Sequence, residues 1–324
     1  MRAVVYDKYG PPSRMRVEEI PAPEPGAGEV RIAVRAAGLN PYDWHLYRAD
    51  PWLARTFTGL FSPGLRVLGA DVAGVVDAVG GGVKQFAVGD EVYGEIGFGA
   101  VGEFATAQAT LLAAKPRSLN FEEAAAVPMG ALTAYDGLRD AGVNPGDRVL
   151  VIGASGGVGH MAVQIARAMG AGRVVAVCSG RNAEWVETLG ADRVIDYTRE
   201  RVTDCGETFD LVYDAVCTTP LRRLRRVIEP RGVYAPAGAV GRGRLLGPYG
   251  PILRAKVTGT FVSQRVAAVE AKPSGATLAR VAQWIDAGLV RPVVERVYAF
   301  DEYEEALARL ETMHVSGKLV VRVP

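Results

Sequence analysis

The amino-acid sequence predicts an α/β protein of two domains, one rich in short strands and one built on a doubly wound parallel sheet. Up to about residue 119, short Val-rich runs alternate with Gly, Pro and Asp, a pattern typical of antiparallel strands. From residue 120 onward, strand-like runs alternate with helical patterns, as in a parallel sheet with crossover helices. A chain of 324 residues is long enough to bury two such cores.

The charge and cysteine content narrow the function classes. The chain has 37 basic and 36 acidic residues, so no overall attraction to nucleic acid or anionic lipid is expected. The three cysteines, Cys178, Cys205 and Cys217, are irregularly spaced, which argues against a disulfide framework and indicates a reducing compartment. With no leader pattern and no apolar run of about 18 residues, we expect a soluble, cytoplasmic protein that acts on a small molecule.

The individual elements follow from the hydrophobic patterns. In the first part, strands are predicted at residues 29–36, 74–79 and 90–94, and they indicate a compact β-barrel. In the second part, the strand-like runs are at residues 148–152, 173–178, 193–196, 209–214, 232–236 and 257–262. Six strands complete a doubly wound sheet, so the helices at 275–287 and 301–312 and the strand at 318–323 are assigned to the first domain. The predicted domains are residues 1–119 with 264–324, and residues 120–263.

A glycine-rich turn lies where the second domain would bind a phosphate. The segment GASGGVG at residues 153–159 follows the apolar run RVLVI and precedes a helical pattern. Small residues let the backbone approach a pyrophosphate, whose charge is met by N–H groups at the helix start. Ala154, Gly156 and Gly159 occupy the three positions of the dinucleotide fingerprint. The turn, which also contains Ser155, Gly157 and Val158, is therefore a predicted cofactor site; the alternative is a tight turn that binds nothing.

The choice of cofactor depends on the end of the second strand of this sheet. An acidic residue there would hold a ribose hydroxyl, but the segment reads CSGRN and offers no carboxylate. Ser179 and Arg181 can donate to a 2′-phosphate instead, and Tyr197 can add its hydroxyl from the next strand end. We therefore predict NADPH. The alternatives are an ordinary solvated arginine at position 181 and an unrelated surface tyrosine at position 197.

These residues carry a resemblance to a known family. The segments are GLNPYDWHLYR at 38–48, LGADVAGVVDAVG at 68–80, GASGGVGHMAVQIA at 153–166 and SGKLVV at 316–321. Over nearly its full length the chain resembles the zinc-free quinone reductases of the medium-chain dehydrogenase/reductase superfamily. The segment between residues 48 and 68 is similar to a bacterial subgroup resembling the mitochondrial reticulon-4-interacting reductase.

The resemblance implies a GroES-like β-barrel catalytic domain, a Rossmann dinucleotide-binding domain and a nucleotide in the cleft between them. It also implies that no metal is bound. Asn40 stands where zinc-dependent relatives have a cysteine ligand, and Ala70 and Asp71 replace their His-Glu pair. The scattered Cys and His residues offer no tetrahedral ligand set.

The resemblance also implies site residues. Asn40 would contact substrate or nicotinamide, although an Asn turn before Pro41 is an equal alternative. Asp43 would order the same loop, and Thr133 would approach the nicotinamide ribose unless it is only a packed helix residue. By the same resemblance the remaining cofactor contacts are Gly238, Phe261 and Lys318.

Several side chains in the first domain are candidates for the proton donor. Tyr42, His45 and Tyr47 are possible donors, with Tyr47 included among the catalytic candidates, and delivery by water is the alternative. Asp50 stands where related enoyl reductases have a tyrosine. His160 is expected on the surface.

Without a Lewis acid, a saturated alcohol is a poor substrate, whereas a quinone or an α,β-unsaturated carbonyl spreads the added charge over its own conjugated system. The predicted function is therefore zinc-independent, NADPH-dependent reduction of such acceptors. The alternative is a non-catalytic nucleotide-binding scaffold, sensor or RNA-binding protein of the same fold, although nucleic acid is an unlikely partner.

Three further features of the sequence carry predictions. A basic cluster at Arg222, Arg223, Arg225 and Arg226 is interpreted as a solvated helix face. The apolar strand at 257–262 would leave an open sheet edge, so we expect it to pair in a homodimer. Four large apolar residues line a substrate pocket or belong to the core, with equal weight: Trp52, Phe57, Leu60 and Phe61.

Overall fold

The computed structural model describes residues 1–52, 55–64, 66–238, 247 and 249–324. The chain forms two compact units. Unit 1 comprises Met1–Met129, Pro273–Gly288 and Pro292–Pro324, and unit 2 comprises Gly130–Lys272 and Leu289–Arg291.

The elements are numbered in chain order. The strands are β1 (Arg2–Tyr6), β2 (Arg16–Glu19), β3 (Glu29–Leu39), β4 (Arg66–Val67), β5 (Asp71–Val79), β6 (Glu91–Glu95), β7 (Phe104–Gln108), β8 (Leu112–Ala114), β9 (Arg148–Ile152), β10 (Arg173–Cys178), β11 (Arg193–Asp196), β12 (Phe209–Asp214), β13 (Ile228–Pro236), β14 (Arg265–Val266), β15 (Val294–Tyr298) and β16 (Lys318–Arg322). The α-helices are α1 (Pro41–Arg48), α2 (Arg55–Thr58), α3 (Phe121–Ala125), α4 (Pro128–Ala141), α5 (Gly159–Ala168), α6 (Ala183–Glu187), α7 (Leu221–Leu224), α8 (Tyr249–Gly259), α9 (Gly275–Asp286) and α10 (Tyr303–Glu311).

Unit 1 is built on two sheets, which are antiparallel except for the parallel pair of β15 and β16. The larger sheet has the order β15-β16-β3-β5-β6-β8, with β7 also paired to β3, and a small sheet has the order β2-β1-β4. The C-terminal strand β16 runs antiparallel to β3, with Leu319 opposite Leu39. On the other side of β3, Asp71 of β5 lies opposite Gly38 and, across the sheet, opposite Glu95 of β6. This register brings polar residues from β5, β6 and β16 to the start of α1.

Unit 2 is a parallel six-stranded sheet with the order β11-β10-β9-β12-β13-β14. Its central strands read as continuous apolar runs and are buried, as expected when helices cover both faces. The carboxyl ends of β9, β10, β11 and β13 meet at one edge, where ligands bind in doubly wound sheets. The predicted fold class is confirmed.

The two units change over at Met129 and Lys272, about ten residues after the predicted boundaries at 119 and 263, because of two packing contacts. Helix α3 packs closely on β3: a Cβ built at Gly38 would lie 2.2 Å from the Ala125 carbonyl oxygen, so α3 belongs to unit 1. Strand β14 pairs with β13 through Val233 and Tyr234, so the chain remains in unit 2 until Lys272.

The predicted strand at residues 257–262 is wrong. Residues up to Gly259 belong to helix α8, and Arg265–Val266 takes the sixth position of the sheet. The segment before Val257 contains Leu, Arg, Ala and Lys, which favour a helix, and a short apolar run does not distinguish strand from helix by itself. The proposed pairing of 257–262 across a dimer therefore loses its basis. The pairing was also predicted to bury a glycine-rich segment at residues 238–251, most of which lies outside the described residues.

Candidate functional site

The glycine turn of unit 2 has the geometry of a phosphate cradle. Gly153 directly follows β9 with φ of 83°, a conformation that favours glycine, and its carbonyl accepts from the Gly156 amide at 3.0 Å. A Cβ built at Gly159 would lie 2.0 Å from the Gly153 oxygen, so only glycine allows the helix this close. At Gly156, in contrast, the nearest atom to a built Cβ is 3.5 Å away, which leaves the backbone open to a ligand.

The amides of this turn are available to bind an anion. No backbone hydrogen bond is made by the N–H groups of Gly157, Val158 or Gly159 to any part of the chain that the structure describes. They stand at the positive end of α5, a helix of 10 residues. Ala154 is fully buried beside them. The turn therefore fits a pyrophosphate, as its sequence predicts.

Helix α4 lies against the same turn. A Cβ at Gly130 would be 2.5 Å from the Gly157 carbonyl oxygen, so the start of the helix contacts the turn directly. Thr133 lies one helical turn further on and is half-buried. Its carbonyl accepts a hydrogen bond from the buried Tyr213 hydroxyl at 2.9 Å. The structure thus places Thr133 on the helix that borders the turn.

The end of β10 presents the residues predicted to select the cofactor. Ser179 follows the strand directly, Arg181 is exposed, and Tyr197 is 57% exposed beyond the neighbouring strand β11. The Tyr197 amide donates to the Cys178 carbonyl at 3.2 Å, which holds the two strand ends together. A hydroxyl, a guanidinium and a phenol at one strand edge fit a 2′-phosphate.

Sequence reasoning missed one carboxylate at this edge. Asp196 ends β11 and lies beside Gly180, where a built Cβ would be 2.4 Å from its oxygen Oδ2. Its Oδ1 accepts from the Thr198 amide at 3.0 Å and hydroxyl at 2.7 Å, and these hydrogen bonds lower its pKa. The parallel pairing of Cys178 with Asp196 could have predicted this neighbour. The Gly180 backbone N–H also donates to this carboxylate, which therefore links the ends of β10 and β11.

Two further predicted cofactor residues have different outcomes. Gly238 follows the carboxyl end of β13, with the Ala215 carbonyl oxygen 3.1 Å from a built Cβ, at the same edge as the glycine turn. Phe261 follows α8 and is 83% exposed. Its predicted place on a sixth strand is wrong, because the chain is helical up to Gly259 and Arg265–Val266 forms the sixth strand.

Unit 1 contains a buried polar cluster formed by Asn40, Asp43, Asp71, Glu95 and Lys318. The Lys318 ammonium donates to Asp71 Oδ2 at 3.0 Å and to Asn40 Oδ1. Asn40 Nδ2 donates to the same Asp71 oxygen at 2.9 Å, and the Met129 amide donates to Asp71 Oδ1 at 3.1 Å. These three side chains are almost completely buried. Asn40 and Lys318 therefore hold Asp71, and the structure does not support an open contact of Lys318 with the cofactor.

The two other carboxyls of the cluster differ in their surroundings. Asp43 accepts from the Asn40 amide at 2.7 Å, which orders the start of α1 as predicted. Burial raises the pKa of Asp43 to about 7, and the nearby Asp71 adds to this shift. Burial likewise raises the pKa of Glu95 to about 8, again with Asp71 contributing. Both carboxyls thus keep their protons to a higher pH than exposed carboxyls do.

The predicted proton donors are held by other groups. Tyr47 is 1% exposed and donates to Glu311 Oε1 at 2.7 Å, and burial raises its pKa far above the usual range. The structure therefore makes Tyr47 a packing residue that joins α1 to α10 and does not support its role as a catalytic acid. His45 donates from Nδ1 to the Asp50 carbonyl, and burial lowers its pKa. Tyr42 is 37% exposed and lies near the Phe98 ring.

The structure also shows where His160, the large apolar residues after α1 and the basic cluster lie. His160 is fully buried, with Nδ1 2.9 Å from the Gly156 carbonyl, so its expected surface position is wrong. Trp52, Leu60 and Phe61 are exposed, which excludes core packing for these three. The side chain of Phe57 lies outside the described residues. The basic cluster lies on α7 and the turn after it, with all four arginines exposed.

The cluster does not fit a catalytic zinc. Asn40, Ala70 and Asp71 provide no thiolate or imidazole, and a lysine ammonium already fills the space between the two polar side chains. Over the ranges that the structure covers, no group of three or more His, Cys, Asp or Glu side chains is arranged to hold a metal. Within the same ranges, no helix is both long and apolar enough to span a bilayer.

Comparison with known proteins identifies the family. Residues 26–117 match the alcohol dehydrogenase GroES-like domain, and residues 189–321 match the zinc-binding dehydrogenase domain. The chain is similar over 100% of its length to the solved quinone oxidoreductase from Coxiella burnetii, with 27% identity, 99% coverage of that chain and a TM-score of 0.85.

Curated relatives are more similar in sequence. The chain is 34% identical to the NADPH-dependent alkenal/one oxidoreductase of Arabidopsis thaliana, over 99% of this chain and 79% of that protein. It is 35% identical to the mitochondrial NAD(P)H oxidoreductase RTN4IP1 of Mus musculus, over 100% of this chain and 89% of that protein. The chain therefore belongs to the medium-chain dehydrogenase/reductase family, among its quinone-oxidoreductase-like members.

Proposed function

We propose that the protein is an NADPH-dependent, zinc-independent oxidoreductase that transfers hydride to a quinone or an α,β-unsaturated carbonyl. The observation that carries the proposal is the Lys318 ammonium between Asn40 and Asp71. By the resemblance described above, Asn40, Ala70 and Asp71 stand at positions where zinc-dependent relatives have metal ligands. Relatives named for alkenals and quinones support the same substrate classes.

The residues that would hold NADPH come from unit 2. The free amides after Gly156 would bind the pyrophosphate, and Ser179 and Arg181 would bind the 2′-phosphate. Arg181 offers bidentate geometry, which gives a phosphate more than a single charge contact. When bound, the cofactor supplies the hydride. The chain's own task is to orient the acceptor and to provide a proton.

The substrate class follows from the side chains of the buried polar cluster in unit 1, which do not provide the thiolate or imidazole ligands of a catalytic zinc. A saturated alcohol needs its oxygen polarised or its alkoxide stabilised, and zinc commonly does this. A quinone or enone accepts hydride at an electron-poor atom and delocalises the charge, so positioning and a few hydrogen bonds suffice.

A single assay panel tests this function. NADPH oxidation is measured with benzoquinone, phenanthrenequinone, an enone and crotonyl-CoA, before and after dialysis against a strong chelator. We expect turnover of at least one quinone or enone that survives chelation. Loss of turnover that added zinc restores would refute zinc independence. Tight NADPH binding without turnover of any acceptor would favour the alternative of a non-catalytic nucleotide-binding protein.

Two further properties stay predictions. We propose a cytoplasmic location and a homodimer, which would have to form without the 257–262 strand pairing; the mass is measured by light scattering after gel filtration, and the location by fractionation of cells. A monomeric mass at micromolar concentration, or recovery in another compartment, would contradict them.

A further inference from the structure

Basic residues are concentrated in one part of unit 2. Between Asp214 and Glu270 the sequence contains ten basic residues and one acidic residue, Glu229, although the whole chain has a net charge of only +1. The remainder of the chain is therefore net negative. This distribution gives one region a positive potential that the overall charge does not show, and it favours an anionic partner for that region.

The arginines of the basic cluster are exposed and lack acidic partners. All four face solvent, whereas Leu221 and Leu224 on the same helix α7 are buried in the hydrophobic core of unit 2. Arg225 donates to the side-chain oxygen of Gln264 at 3.0 Å. Within the part of the chain that the structure describes, none of the four arginines forms an ion pair. No carboxylate in that part neutralises their charge.

Helix α8 has an apolar stripe between two cations. Leu253 and Val257 are 52% and 55% exposed, and residues four apart lie on the same side of a helix. At 3.6 residues per turn, the exposed Arg254 and Lys256 flank this stripe on its two sides. Ala255 lies on the opposite side and is buried in the core. The outward side of α8 is therefore apolar in the middle and basic at both margins.

The two helices form one surface. Helices α7 and α8 contact each other, and their buried residues belong to the same hydrophobic core. Lys256 lies 4.0 Å from Glu270, but both side chains are more than half exposed, so water screens this pair. Just beyond α8, Phe261 is 83% exposed. The α7–α8 face thus combines the basic cluster, Arg254 and Lys256 with the exposed Leu253, Val257 and Phe261.

We propose that the α7–α8 face binds the surface of an anionic lipid bilayer. A helix with this pattern lies in the plane of the membrane, places its apolar side chains at the level of the headgroups, and directs its cations to the lipid phosphates. Each Lys or Arg near an anionic bilayer increases the affinity by about fivefold. The apolar side chains add to this because they leave water.

Two other partners fit this face less well. A second copy in a two-fold pairing would bring two identical sets of cations together, and their repulsion disfavours such an interface. A nucleic acid would attract the cations, but its sugars and phosphates would gain little from the Leu253–Val257 stripe. Among the described residues of the face, Phe261 is the one aromatic ring available for base stacking. A bilayer is the partner that uses both the charge and the apolar stripe.

Vesicle binding by the full chain tests the proposal. The protein is mixed with phosphatidylcholine vesicles or with vesicles that also contain about 30% phosphatidylglycerol, and bound protein is measured by sedimentation. We expect binding to the anionic vesicles and none to the neutral ones. Raising the salt concentration from about 0.05 M to about 0.5 M should release most of the bound protein, because the Debye length shortens.

Two variants with the same net charge separate the face from the overall charge. Arg222→Gln/Arg223→Gln removes two cations from the face and should weaken binding to the anionic vesicles by about 25-fold. The control, Arg35→Gln/Arg117→Gln, removes two exposed arginines from unit 1. Its vesicle binding should stay within about twofold of wild type, because charges more than a Debye length from the membrane are screened.

A third variant tests the apolar stripe. Leu253→Gln/Val257→Gln keeps every charge and should weaken vesicle binding by about tenfold while the salt dependence persists. NADPH binding in solution should equal that of wild type in all three variants, which reports that unit 2 is folded.

Several results would overturn the proposal. They include no binding to anionic vesicles at low salt and equal losses in the two arginine variants, which would indicate attraction by total charge. A change from dimer to monomer on replacement of the apolar stripe, with vesicle binding unaffected, would make the face a contact between copies. Binding of a labelled oligonucleotide that needs the same arginines, without vesicle binding, would make it a nucleic-acid site. Because the assay uses no acceptor substrate, its outcome is independent of the proposed function.

Discussion

Replacing Lys318 with Met tests how strongly the buried polar cluster depends on its single cation. The Lys318 Nζ to Asp71 Oδ2 distance is 3.0 Å, and the two side chains are 4% and 0% exposed. Met keeps most of the aliphatic stem but leaves the Asp71 carboxylate without its cation and Asn40 Oδ1 without a donor. Removing one partner of such a buried pair typically costs about 3–5 kcal/mol of unfolding free energy, and we expect a loss in this range.

An exposed ion pair of similar length provides the control. Arg2 Nη2 lies 2.9 Å from Asp301 Oδ1, but their side chains are 42% and 75% exposed. Water and salt screen this pair, so Arg2→Met should cost at most about 1 kcal/mol. Because the two distances are nearly equal, the difference between the variants measures the effect of burial.

Urea unfolding followed by tryptophan fluorescence is the assay. Three of the four tryptophans, Trp44, Trp52 and Trp284, lie in unit 1, and Trp185 lies in unit 2. In a Trp185→Phe background the signal therefore reports unit 1. A cost of Lys318→Met no larger than that of Arg2→Met would refute the reasoning. The additional change Asp71→Asn should recover part of the loss, since it removes the unpaired charge.

Three other predictions follow from the described geometry. Arg181→Ala should weaken NADPH by about 1.5–3 kcal/mol and leave NADH nearly unchanged, as measured by titration of both cofactors; tighter wild-type binding of NADH would contradict it. Gly159→Ala would place a Cβ 2.0 Å from the Gly153 oxygen, so it should abolish cofactor binding or destabilise unit 2, whereas normal NADPH affinity and stability would show the turn to be tolerant. Asp43 and Glu95 have pKa values raised to about 7 and about 8 in the fold, so the native state holds more protons than the unfolded chain, and the stability of unit 1 should fall as pH rises from about 5 to 8. Each retained proton contributes a slope of about 1.4 kcal/mol per pH unit, and urea unfolding across this range that shows rising stability would contradict the shifts.

Some sequence predictions failed because the information needed was not local. The run at 257–262 is short and β-branched, which fits a strand, but the residues before it favour a helix and the sheet edge was filled by Arg265–Val266. Tyr47 follows a motif that suggested catalysis, yet its partner Glu311 is 264 positions away in the chain. His160 was expected at the surface because it follows a turn, but it is fully buried.

The sequence by itself determined the features that depend on neighbours in the chain. The apolar strands separated by helical patterns predicted the parallel sheet, and the small residues at 153–159 predicted a turn that leaves backbone amides free. Only the tertiary structure decided the buried polar cluster. Asn40, Asp71, Glu95 and Lys318 lie far apart in sequence and meet because β3, β5, β6 and β16 pair in one register. Strand register arises from long-range backbone pairing and side-chain burial, so no local pattern shows that one lysine must serve three carboxyls.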